Sequence, residues 1–97
     1  MDRAETQKIE NKILAILTLD MENIPANFQE ILIHEKEVVD EWKSAGILEN
    51  LFLRQEKNGA VLIFNNINET EARELMQKLP LFALKKSVEY FSLMKQF

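Results

Sequence analysis

No cysteine occurs anywhere in the 97 residues, and histidine occurs once. Disulfides, thiolate nucleophiles and cysteine-ligated metals are therefore excluded. A lone His34, with neither H-x-H nor H-x-x-x-H spacing, gives no dedicated zinc or haem site, although it leaves a single axial ligand open. No block of basic residues stands out, and the net charge is −4. A nucleic-acid surface would need a Lys/Arg stripe to neutralise phosphates, so that class of partner is disfavoured. No apolar run approaches the length of a membrane-spanning helix. The opening stretch "MDRAETQKIENK" lacks the apolar centre of a signal peptide, which makes the cytoplasm the expected location. Internal repeats and low-complexity segments are absent too.

What remains is an ordinary globular composition, 46% hydrophobic and 29% charged. A chain this short buries only about 60–65% of its unfolded surface, so a second subunit would be a natural way to bury more. Residues 1–11 read as a polar N-terminal arm, and residues 12–97 as a single domain. "KILAILTL", Lys12 to Leu19, is a strand apolar on both faces, broken by "DMENIP". Pro25 suits the first turn of a helix, Asn27 and Glu30 have capping-box spacing, and Gly46 supplies a left-handed stop after Ala45. "ILENLFLRQE", Ile47 to Glu56, and "AVLIFNN", Ala60 to Asn66, read as strands joined by the tight turn Lys57-Asn58-Gly59. Asn68 and Glu71 predict a second capping box. The helix they open carries Ala72, Leu75, Met76 and Leu79 inward, and Pro80 ends it. "SVEYFSLM", Ser87 to Met94, supplies a fourth strand.

The order strand–helix–strand, strand–helix–strand predicts an α+β, ferredoxin-like βαββαβ subunit. Its four-stranded antiparallel sheet has two helices on one face. The other face of such a sheet should carry polar residues at alternate positions if it meets water. Here Ile13 to Leu17 and Ala60 to Phe64 are apolar on both parities. A second copy packed face to face is the simplest cover, which predicts a two-fold homodimer. A partner protein or a ligand pocket could take its place.

One residue breaks the pattern of the first helix. Phe28, Ile31, Leu32, Val38, Val39 and Trp42 form a single stripe at 100° per residue, and Glu35 falls in its middle. A carboxylate facing a core is costly unless it is paired or protonated. Two readings follow. Glu35 could pair with Arg54 or Lys36 or reach solvent at a rim, or its burial could raise its pKa to that of a general base.

In "KLPLF", Lys78 to Phe82, in the preceding "GAVLIFNNINETEARELMQ" and in "HEKEVVDEWKSAGIL", the chain resembles the muconolactone delta-isomerase-like family of dimeric α/β barrels. The resemblance spans roughly residues 12–94, with Glu35-Lys36 at the family's acidic-lysine position. It departs in having a polar arm before the first strand and little after the last. The resemblance implies sheet-to-sheet dimers, sometimes larger rings, and a metal-free double-bond shift in a small unsaturated lactone, with no cofactor. A shift of this kind needs a base that also returns the proton, and a group that steadies the enolate. Glu35 is the candidate base, with His34 as acid or orienting donor and Arg54 as a carboxylate clamp. Trp42, Phe52, Phe64, Phe82 and Tyr90 are candidates for the pocket wall, although each also suits a core or dimer contact. A non-catalytic small-ligand-binding or interaction module on the same scaffold is the alternative. A small monooxygenase is a third class, in which His34 would turn inward if haem were used. Glu69, Glu71 and Glu74 suit a helix N-terminus and its solvated face, and carry no chemistry.

Overall fold

The computed structural model describes residues 11–97, so residues 1–10 of the expected arm lie outside the described part. Strand β1 (Asn11–Leu19) leads through a short 3-10 turn (Met21–Asn23) into helix α1 (Phe28–Ser44). Strands β2 (Leu48–Leu53) and β3 (Gly59–Asn65) follow, then helix α2 (Glu69–Met76), a 3-10 turn (Pro80–Leu84) and strand β4 (Lys85–Met94). The four strands form one antiparallel sheet in the order β2-β3-β1-β4. The two most apolar strands are therefore central, with Ile13 opposite Phe64 and Leu17 opposite Ala60.

Local chemistry explains most boundaries. Gly46, at φ +79°, ends α1 in a Schellman motif: its N–H donates to Lys43 O, and that of Ile47 to Trp42 O at 3.0 Å. The capping box at α2 is formed, Asn68 accepting from Glu71 N–H at 2.7 Å while Glu71 accepts from Asn68 N–H at 2.9 Å. The expected box at α1 is not formed. Asn27 makes no side-chain cap there; its backbone, at φ −92° and ψ 27°, is not in the extended conformation that turns an N-cap side chain onto the first-turn N–H groups. In the β2–β3 turn the left-handed residue is Lys57, at φ +62°, rather than Asn58. Gly59 answers a different need: a Cβ there would lie 1.9 Å from the carbonyl oxygen of Leu17 on the neighbouring strand.

The pleat gives the sheet two unlike faces. On one, Ile13, Ala15, Leu17 and Leu19 of β1 and Ala60, Leu62 and Phe64 of β3 are buried under Val39 and Trp42 of α1 and Ala72 and Met76 of α2. Trp42 and Phe64 pack with ring centroids 5.7 Å apart. On the other face Leu14, Ile16, Val61 and Ile63 are only half-buried, flanked by Phe52 at 56% and Phe91 at 46% exposure. One end of this second face is closed by Lys12, which is buried and whose Nζ meets Asn65 Oδ1 and, at 3.0 Å, Glu49 Oε1.

Candidate functional site

The buried side of the sheet is not covered evenly. Helix α2 is two turns long, and the first turn of α1 begins only at Phe28. Between the start of α1 and the ends of β1, β2 and β3 a cleft of about 360 Å³ remains. Leu17, Leu19 and Ala60 form its floor, Phe28 and Leu32 one wall, and Leu53 and Leu81 the others. Leu53 is 77% exposed, so the cleft opens along the outer strand. Hollows of about 580 and 410 Å³ lie elsewhere. The first is bounded by Asn11, where the described chain begins, and by the polar start of α2; the second is edged by Asp20, Glu22 and Lys86. Neither has the apolar lining with few polar groups that marks a small-molecule site.

Two charged residues border the apolar cleft, Arg54 and Lys57. Arg54 donates from Nη1 to Thr18 Oγ1 at 2.9 Å, and its Nε lies 3.9 Å from Glu56 Oε1. Thr18 alternates with buried Leu17 and Leu19, which places the guanidinium on the second face of the sheet, away from the cleft floor. Lys57 is exposed at the rim.

Glu35 is half-buried, and neither Lys36 nor Arg54 pairs with it: Lys36 bonds Asp40 at 2.7 Å and Arg54 turns to Thr18. Its Oε1 instead accepts from the backbone N–H of Leu81 at 3.0 Å. The 3-10 turn there has Pro80 in its first position and no side-chain cap from Leu79. A carboxylate 46 residues earlier in the chain thus takes the place of the missing cap. Burial pushes the Glu35 carboxyl above the usual carboxylate range, and the Leu81 bond draws it partly back. Glu35 does not itself border the cleft, but Leu81, which it anchors, does.

The remaining sequence-stated candidates scatter. His34 is exposed beside Glu37, with Nδ1 to Oε1 3.4 Å. Trp42 and Phe64 are core residues, Phe52 lies on the second face, and Phe82 sits half-buried under Lys85 at 4.2 Å. Tyr90 lies under the Arg73 guanidinium at 4.3 Å, and burial raises its pKa while Arg73 opposes the rise. None of these borders the cleft, and of the candidates only Arg54 does. Lys57, Leu53, Phe28 and Leu81 were not visible as one site in the sequence. Only the turn containing Lys57 was. Among the described residues, no group of three or more His, Cys, Asp or Glu is placed to hold a metal ion. No helix among them is long and apolar enough to cross a membrane.

Neither a family model nor a curated protein matches the sequence. Among solved structures, PA3566 from Pseudomonas aeruginosa is similar over 93% of this chain and 97% of its own, with a TM-score of 0.56 at 10% identity. The element order and the strand order β2-β3-β1-β4, with both helices on one face, decide the architecture. The fold is ferredoxin-like. A second similar structure is described as a dimeric ferredoxin-like protein of unknown function from Thermobifida fusca. It covers 92% of this chain and 93% of its own, with a TM-score of 0.46 at 9% identity. At 10% identity the likeness to PA3566 concerns the fold alone and no chemistry.

Proposed function

We propose that this protein binds a small, largely apolar molecule in the cleft between α1 and the sheet, on a subunit that pairs face to face with a second copy. The observation that carries the first part is the cleft itself, whose volume of about 360 Å³ suits a small ligand and whose lining is almost wholly aliphatic and aromatic. The half-exposed apolar second face supports the pairing, since a contiguous apolar surface of this kind marks an interface. Filling the cleft is the direct test. Leu32→Trp and Leu53→Trp, the latter at an exposed position, should abolish saturable uptake of a small aromatic probe in ligand-detected NMR. Undiminished uptake in both folded variants would refute the site.

A second reading is favoured by the raised carboxyl of Glu35: a muconolactone delta-isomerase-like activity, shifting a double bond in a small unsaturated lactone. Glu35 would leave Leu81, take a proton beside the carbonyl and return it one carbon along. Glu35→Gln should then abolish turnover of muconolactone while leaving binding intact. Turnover that persists in Glu35→Gln removes the base role, and leaves ligand binding without catalysis on the same scaffold.

A further inference from the structure

The cleft borders on ten residues, and none of them is acidic, although the chain as a whole carries a net charge of −4. Its two charges are both positive, and they are differently placed. Arg54 is committed to Thr18 and Glu56 on the far side of the sheet. The Lys57 ammonium stands at the rim with no partner among the described residues. Its backbone is also costly. Lys57 is held at φ +62°, a conformation unfavourable to a residue with a Cβ, while Asn58 and Gly59, which tolerate it far better, follow immediately. A strained non-glycine residue at the mouth of a pocket is the kind of outlier from which a role can be argued.

We propose that Lys57 is the anion-recognising residue of the cleft, and that the ligand is a compact apolar acid. Its ring or branched chain lies among Phe28, Leu32 and Leu53, and its carboxylate meets the Lys57 ammonium at the rim. This inference rests on the cleft being a ligand site. It adds the chemical class of the occupant and a residue that reads it. An ammonium partly shielded by apolar walls attracts a carboxylate more strongly than one in open water. The pairing is also screened by salt, because the rim is exposed.

The test compares two probes of nearly equal shape, 2-naphthoate and its neutral amide, by titration calorimetry. Naphthoate should bind about five- to tenfold more tightly than the amide, a ratio worth about 1–1.4 kcal/mol, and the advantage should shrink at high salt. Lys57→Gln should erase that ratio by weakening naphthoate alone, and Lys57→Arg should restore it. The side chain is exposed and both variants keep the same backbone demand, so the fold is unaffected. Equal binding of acid and amide, or a preference that survives Lys57→Gln, overturns the role of Lys57 and leaves the cleft as a site for neutral molecules. If neither probe binds, both the cleft reading and this inference fall.

Discussion

Removing the Glu35 side chain separates its structural role from any chemical one. Glu35 Oε1 accepts the Leu81 N–H at 3.0 Å, and Leu81 is only 8% exposed. In Glu35→Ala that N–H loses its acceptor in a site with little access to water, which costs about 1–3 kcal/mol. Relief of the buried carboxylate offsets part of it, so a net loss of about 1–2 kcal/mol is expected, typical of a lost helix cap. For a domain of this size that lowers Tm by about 4–16 °C. Glu35→Gln keeps an oxygen for Leu81 and removes the charge, so it should lie close to wild type at neutral pH. The pH dependence has a definite sign. The folded-state pKa of Glu35 is raised above 4.5, so the folded protein takes up this proton more readily than the unfolded chain. Relative to Glu35→Gln, wild type should therefore gain stability as pH falls through the folded pKa towards 4.5, and lose it again as pH rises. Urea titrations of the three proteins across that window measure all of this. An alanine variant as stable as wild type would refute the capping argument, and a wild-type advantage that grows with rising pH would refute the dominance of burial over the Leu81 bond.

Three further outcomes follow from single residues. Gly59→Ala forces a Cβ onto the Leu17 carbonyl at 1.9 Å and should cost about 2–4 kcal/mol, read as an early thermal transition. Lys57→Gly removes the left-handed penalty and should stabilise the fold by about 0.5–1 kcal/mol in denaturant titration, while sacrificing the acid preference of the cleft. Phe52→Asp places a charge on the second face at a position 56% exposed in the subunit; sedimentation velocity should show the paired wild type become a folded monomer, and a sedimentation profile unchanged from wild type would argue against pairing through this face.

The elements of the fold were legible because each is written in local residues. The double-sided apolar runs around Ile13 to Leu17 and Ala60 to Phe64 were read as strands, and these strands occupy the centre of the sheet. Asn68 with Glu71 and Gly46 behaved as their chemistry requires, since a capping box and a left-handed stop depend on neighbours three or four residues away. Asn27 with Glu30 had the same spacing and did not close. The turn after Pro25 brings Asn27 in at φ −92° and ψ 27°, outside the extended conformation of a capping residue, which spacing alone does not reveal.

The cleft was far less legible, and Glu35 shows why. A helical wheel correctly turns it towards the sheet side, but a wheel knows only its own helix. Whether a half-buried carboxylate acts as base, ion pair or cap is decided by what arrives opposite, and here that is the Leu81 amide, delivered by a turn whose own residues include no cap. The same limit hid Lys57, which is one residue of an ordinary turn until folding sets it beside Phe28 and Leu32. Glu35 and Lys57 are thereby tied through one object. Leu81 borders the cleft that Lys57 overlooks, and Glu35 fixes Leu81 in place. Loosening that turn should displace the Leu81 wall of the cleft without touching the rim, so Glu35→Ala should weaken naphthoate and naphthamide alike, whereas Lys57→Gln weakens only the acid. An Ala variant that selectively lost the acid would mean that Glu35, rather than Lys57, governs charge at the site.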